Sequence, residues 1–154
     1  MRRNYPEKPD KVYFMGTCLA DMLYAEAGMA GIRLLEREGV KVIYPRDQTC
    51  CGQPAFNSGF QEEALEVALH QIHCFPKAYP IVVPSGSCGA MMVRHYPELF
   101  EGHPLEQKAI EFSSRIFELS EFLHHVLKIS LKDQGVPVKV TWHTSCHTKR
   151  ELGL

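Results

Sequence analysis

Val40-Lys41-Val42-Ile43-Tyr44-Pro45-Arg46-Asp47-Gln48-Thr49-Cys50-Cys51-Gly52-Gln53-Pro54 reads as a short strand that runs into a cysteine-bearing loop. The strand is rich in β-branched residues, and Pro45, which has no N–H to give a neighbouring strand, stops it. The same order, a strand followed by small or polar residues and then cysteine, occurs three more times. Val12-Tyr13-Phe14-Met15 leads to Gly16-Thr17-Cys18, and Tyr79-Pro80-Ile81-Val82-Val83 leads to Pro84-Ser85-Gly86-Ser87-Cys88. Val136-Pro137-Val138-Lys139-Val140-Thr141-Trp142 leads to His143-Thr144-Ser145-Cys146, with Pro137 placing the start of that strand near an edge or a strand end.

Helical patterns separate these strands. Asp21 is in position to cap a helix that runs to about Glu38, with Met22, Ala25, Met29, Ile32, Leu34 and Leu35 along its apolar face. Gly28 and Gly31 weaken that helix unless it packs closely on a sheet, and Gly39 closes it. Ser58-Gly59-Phe60-Gln61 has the form of a capping box before a second helix, which buries Ala64, Leu65, Ala68 and Ile72 and ends by Pro76. A third helix spans about Gly89 to Tyr96. From Leu105 to Leu131 the helical period holds through Ala109, Phe112, Ile116, Leu119, Leu123 and Leu127, with a break near Ser120.

Four strands alternating with helices predict an α/β domain of three layers with a mostly parallel sheet of about four strands. In such a sheet the loops that follow the strands emerge at one edge, where ligands bind. Cys18, Cys50, Cys51, Cys88 and Cys146 are therefore expected together at the strand C-terminal ends, although 31 residues separate Cys18 from Cys50 and 36 separate Cys51 from Cys88.

The chain has 154 residues, 45% apolar and 23% charged, with a formal net charge of −1, which fits one folded domain. Lys and Arg are scattered, so no basic stripe asks for nucleic acid or an anionic membrane. Residues 1–11 are polar, contain two prolines and read as a mobile leader without the apolar stretch of a signal peptide. The apolar runs are too short to span a bilayer. These features place the protein in the cytoplasm, where six cysteines point to metal or redox chemistry rather than to disulfides.

Thiolates select soft metals, chiefly zinc or iron–sulfur clusters. The chain has no C-x-x-C knuckle of the compact zinc motifs. Side chains of adjacent residues diverge, and a cluster of several irons accommodates the Cys50–Cys51 pair better than a single zinc ion does. Iron–sulfur is the favoured reading and zinc the alternative. Three others stand beside them: small buried hydrophobes, a strained Cys50–Cys51 disulfide, and a cysteine nucleophile with a histidine partner. Cys74 in His70-Gln71-Ile72-His73-Cys74 lies at a helix end, read as a packed surface cysteine in preference to a zinc site with His70 and His73. His143 and His147 flank Cys146, either as ligands and hydrogen-bond donors or as solvated loop residues. His124 and His125 read as solvent-facing, and His95 and His103 carry no signal. The dinucleotide, Walker and nucleophile-elbow motifs are absent from the sequence.

Gly16-Thr17-Cys18, Cys50-Cys51-Gly52-Gln53-Pro54-Ala55-Phe56-Asn57-Ser58-Gly59 and Pro84-Ser85-Gly86-Ser87-Cys88 together resemble the cysteine-rich CCG domain family. That family includes the cysteine-rich subunit of heterodisulfide reductase, the iron–sulfur subunit of glycolate oxidase and the lactate-utilisation protein A branch, which the two longer segments resemble most. Members carry two such units. By this resemblance residues 12–135 form a first unit, and residues 136–154 the start of a truncated second one without its own Cys-Cys-Gly. The resemblance implies Cys18, Cys50, Cys51 and Cys88 as ligands, with Cys146 beginning a second centre; His143 beside it is the further candidate metal ligand. In the heterodisulfide reductase branch the third element is Cys-x-x-Cys; here its second position is Met91, which leaves four thiolates, enough for an ordinary 4Fe–4S cluster or for zinc. The implied role is a non-catalytic or co-catalytic electron-transfer subunit that works with a ferredoxin-like iron–sulfur partner and further subunits to oxidise lactate or glycolate. A zinc-stabilised structural subunit and a thiol/disulfide redox protein are the alternatives.

Overall fold

The computed structural model of the chain describes residues 3–130, 132, 135–141 and 143–154. Strand β1 (Lys11–Phe14) has an exposed first residue followed by Val12, Tyr13 and Phe14, all buried, so both faces of the strand are covered. It lies at the centre of the sheet. On one side it pairs in parallel with β2 (Lys41–Ile43), in the register Lys11↔Lys41 to Tyr13↔Ile43. On the other it pairs in parallel with β3 (Ile81–Val83), which pairs in turn with β4 (Ile116–Glu118) through Ile81↔Ile116 and Val83↔Glu118. The four-stranded sheet has the order β2-β1-β3-β4 and is parallel throughout.

Because side chains alternate along a strand, the sheet feeds two cores. Tyr13, Met15, Ile81, Val83 and Ile116 point to one, where they meet Ala68 and Ile72 of α4 (Gln61–Cys74) and Phe112 of α7 (Glu106–Ser114). The same core receives Met91, Met92 and Tyr96 from α5 (Gly86–Ala90), a π-helical turn (Met91–His95) and α6 (Tyr96–Leu99), which follow one another directly. Val12, Phe14, Val82 and Phe117 point to the other core, against Leu35 of α2 (Ala25–Arg37). Phe122, Leu123 and Val126 complete that side from the π-helical turn Phe122–Val126, which continues α8 (Leu119–Glu121). The result is the expected three-layer α/β domain.

The fourth strand is not where the pattern at Val136–Trp142 placed it. Residues 136–141 form no strand, Val136, Val138 and Val140 are 78%, 68% and 83% exposed, and Trp142 lies outside the described residues. The edge beside β3 is taken by Ile116–Glu118, a strand hidden inside a helical spacing of apolar residues. Ile116 and Phe117 each have a core to enter, one on either side of the sheet.

The helix expected from Asp21 is two helices. Thr17 caps α1 (Cys18–Met22) by accepting from the Ala20 N–H at 3.3 Å, and α2 starts afresh at Ala25. Met22 and Met29 face solvent, and the buried stripe of α2 is Gly28, Gly31 and Leu35. The glycines let the helix backbone approach the sheet: a Cβ at Gly31 would sit 3.2 Å from the Phe14 ring and 3.1 Å from Leu119. The Ser58 capping box does not form, since Phe60 occupies the N-cap of α4 without a side-chain bond. Glycine does close α2, with Gly39 at φ +79°. Ahead of β1, Arg3 and Tyr5 lie on the second core, where Arg3 pairs with the buried Glu121 at 2.8 Å and Tyr5 stacks on His125.

Gly31→Val is expected to lower unfolding stability by about 1–3 kcal/mol through overpacking against Phe14 and Leu119. Urea unfolding followed by circular dichroism checks this, and a stability equal to the parent chain would contradict the close-packing account.

Candidate metal centre

Each cysteine loop at the sheet's C-terminal edge passes from a strand into the start of a helix. Cys18 is the first residue of α1, after β1. Cys50 and Cys51 follow β2 and precede α3 (Gln53–Asn57), whose N-cap Gly52 adopts φ +82°, a left-handed conformation open to glycine at little cost. Cys88 lies in the first turn of α5, after β3. Helix starts leave backbone N–H groups unpaired, and here those of Leu19, Gly52 and Gln53 act on the sulfurs of Cys18, Cys50 and Cys51 and favour their ionised forms.

The four thiols form one connected group. Cys18 Sγ donates to Cys50 Sγ at 3.9 Å. The Cys51 thiol acts electrostatically on both Cys50 and Cys88, which couples the three loops through sulfur. Its action on Cys50, aided by the Gly52 N–H, holds the Cys50 thiol down to about 5 against the opposing effect of burial. Cys88 is lowered to about 7 by Cys51 first, with Ser85 and Ser87 assisting against burial. Cys51 is pushed far up by Cys50 and Cys88 and by burial, and Cys18 is raised by burial and then by Cys50. Cys50 and Cys88 are thus held down, and Cys18 and Cys51 held up. Cys51 and Cys88 are buried, whereas Cys18 and Cys50 are half-buried and line a cavity of about 330 Å³ together with Tyr44, Arg46 and Gln48.

Neutral side chains that the sequence reading did not single out tie the loops together. Gln48 accepts from the Gly16 N–H at 3.0 Å and donates to Pro45 O at 2.9 Å and Phe14 O at 3.3 Å, which joins the Cys18 loop to the Cys50 loop. Gln53, inside the Cys-Cys-Gly-Gln-Pro word, donates to Ser87 O at 3.2 Å and so reaches the Cys88 loop. The amide of Gln71, on α4, binds Thr49 and Cys50, and the Tyr96 hydroxyl donates to Cys51 O at 3.0 Å.

Cys146 and His143 are not brought to this group. Both are exposed, and Cys146 follows no strand among the described residues, contrary to its expected place at a strand end. The π-helical turn beyond it (Thr148–Leu152) packs on α5. There Gly86 provides the room: a Cβ at Gly86 would fall 1.9 Å from the Thr148 hydroxyl. Glu151 fastens the turn by accepting from His95 at 3.1 Å and from His147 at 2.8 Å, while Arg94 donates to its backbone carbonyl. His95, silent in the sequence, is thus a contact residue, and His147 serves the turn rather than a sulfur. Cys74 is half-buried at the end of α4 and lies 3.4 Å from both Asp47 O and His70 Nε2. His124 and His125 are exposed, as expected.

The groups acting on the four sulfurs are other thiols, serine hydroxyls and backbone N–H groups, a soft all-sulfur set of the kind that binds iron–sulfur clusters or zinc. Cys18 Sγ and Cys50 Sγ lie 3.9 Å apart, and among the described residues no group of three or more His, Cys, Asp or Glu side chains is arranged to hold a metal ion. The donor chemistry fits a metal group.

A family model described as CCG, cysteine-rich domain, matches residues 12–93, more than half of the chain and the whole span from Cys18 to Cys88. The chain belongs to the CCG cysteine-rich domain family. Among curated relatives, lactate utilization protein A of Geobacillus kaustophilus is 45% identical over 145 residues, covering 94% of this chain and 60% of that protein. Lactate utilization protein A of Halalkalibacterium halodurans is 44% identical over 144 residues, covering 93% and 59%. The Shouchella clausii protein of the same name is 46% identical over 137 residues, covering 88% and 57%. This chain therefore spans about 60% of the length of the curated relatives it matches. No solved structure gives a significant match.

Gly86→Ala is expected to dislodge the Thr148–Leu152 turn, since the methyl group and the Thr148 hydroxyl occupy the same space, at a cost of about 1–3 kcal/mol. Amide hydrogen exchange should quicken in residues 148–152 and stay unchanged in β1 and β3; protection of the turn at the parent level would contradict the packing described.

Proposed function

We propose that this chain binds an iron–sulfur cluster, of the 4Fe–4S type, through Cys18, Cys50, Cys51 and Cys88, and carries electrons in a complex that oxidises lactate or glycolate to the 2-keto acid. The observation that carries the reading is the convergence of four thiols from three strand–helix loops at one edge of a parallel sheet, two of them buried. The shared name of the relatives, lactate utilization protein A, directs it to lactate.

Oxidation of a 2-hydroxy acid removes two protons and two electrons, and the side chains gathered here suit the electrons. A bound cluster would supply reversible one-electron uptake. The four cysteines hold it, and the N–H groups of Leu19, Gly52 and Gln53 stabilise the thiolates. Met91, Met92 and Tyr96 exclude water on the inner side. Cys18 and Cys50 face the 330 Å³ cavity, which makes that side the route to a partner. The reading includes a ferredoxin-like iron–sulfur partner with further subunits, and a cytoplasmic location. Among the described residues no helix is long and apolar enough to cross a membrane.

Zinc has one observation in its favour. The Cys18–Cys50 separation of 3.9 Å is close to the edge of about 3.8 Å in a tetrahedron with zinc–sulfur arms of about 2.3 Å. Purification without oxygen, with visible absorbance and assays for iron, sulfide and zinc, decides between the two. Brown protein with iron and labile sulfide is expected; colourless protein with one zinc per chain would overturn the electron-transfer role. Cys51→Ala should bring metal content down to background, whereas Cys74→Ala and His143→Ala should match the parent chain. Equal loading of Cys51→Ala and the parent chain would remove the ligand assignment.

A further inference from the structure

We propose that Gln71 and Tyr96 are the positioning residues of the Cys50–Cys51 turn, clamping three consecutive backbone carbonyls so that two neighbouring thiols face one site. The inference rests on the reading of that site as a metal centre and extends it to two side chains that bond the cysteine backbone.

Adjacent residues in extended backbone send their side chains in opposite directions. For Cys50 and Cys51 to join one sulfur network, the chain between Thr49 and Gly52 must be bent and held there. It belongs to no helix or strand, so its carbonyls depend on other partners. Gln71 meets that need from α4. It is fully buried, among Ala64, Ala68 and Ile72, where an unpaired amide would be costly. Its polar atoms serve this one turn: Oε1 accepts from the Thr49 N–H at 3.4 Å, and Nε2 donates to Thr49 O and, at 3.1 Å, to Cys50 O.

Tyr96 completes the clamp from α6. It too is fully buried, with its ring stacked on Phe112 at 5.8 Å, and its hydroxyl donates to Cys51 O at 3.0 Å. The carbonyls of residues 49, 50 and 51 are thus taken in sequence by side chains from two helices, and Gly52 then turns the chain into α3. An apolar residue at either position would fill the core equally well. What it would lose is the direction of Cys50 and Cys51.

The test uses the full chain with Gln71→Met, which keeps length and helix preference, and Tyr96→Phe, which removes one hydroxyl. Metal-free, reduced protein is alkylated with iodoacetamide and each cysteine is followed by mass spectrometry, with circular dichroism melts confirming the fold. Cys51 should label at least about tenfold faster in each variant than in the parent chain, the change expected when a buried carbonyl loses its donor. Retention of iron after anaerobic loading should weaken by about tenfold or more, with a shifted visible spectrum. Folded variants with parent-like Cys51 labelling and parent-like iron retention would overturn the proposal. Should Gln71→Met fail to fold, Tyr96→Phe alone decides. A parent chain that loads no iron defeats the metal reading of the site, while the labelling comparison still judges the clamp.

Discussion

A parallel sheet delivers every strand–helix loop to the same edge, and the cysteine site exists because three of those loops carry thiols. The pairing of β1 with both β2 and β3 is the constraint behind it, since β1 at the centre sets the loops of Cys18, Cys50 and Cys88 side by side. Everything finer depends on that alignment. The sulfur contacts, the Gln48 and Gln53 cross-links and the Gln71–Tyr96 clamp all join loops that the sheet has already brought within reach.

The site is asymmetric. Cys51 and Cys88 are sealed beneath the helices of the first core, whereas Cys18 and Cys50 border the cavity with Tyr44 and Arg46. Beyond Tyr44, whose hydroxyl donates to Asp21 at 3.2 Å, a second cavity of about 470 Å³ runs under α2, lined by Phe14, Met29 and Ile32. The thiols also divide, Cys50 and Cys88 lowered chiefly by Cys51, Cys51 raised chiefly by Cys50 and Cys88, and Cys18 raised chiefly by burial. A soft metal group that displaces the thiol protons meets sulfurs already grouped.

Local chemistry was legible wherever the signal lay within a few residues. β1, β2 and β3 were readable because each is a β-prone run stopped by glycine, proline or a polar loop. The glycines of α2 told of close packing on the sheet, and Gly31 does lie against Phe14. The fourth strand shows the limit of periodicity. Ile116-Phe117-Glu118 continues the spacing of a helix, and Val136 to Val140 alternates as a strand should, yet a strand forms only where both of its faces have something to bury.

The sequence by itself determined the fold class, the family, and the position of Cys18, Cys50, Cys51 and Cys88 just after strands, because strand propensity, turn chemistry and the Cys-Cys-Gly word are local properties of the chain. Only the tertiary structure decided which cysteines share a site. Cys146 has the same small polar neighbours as Cys18, but among the described residues no sheet strand leads into it; its segment rests on α5 beside Gly86, and its thiol is exposed. It also decided what holds the paired cysteines, since Gln71 and Tyr96 stand 21 and 45 residues from the carbonyls they take. Such contacts are set by how α4 and α6 lie on the sheet, and no spacing along the chain encodes that packing.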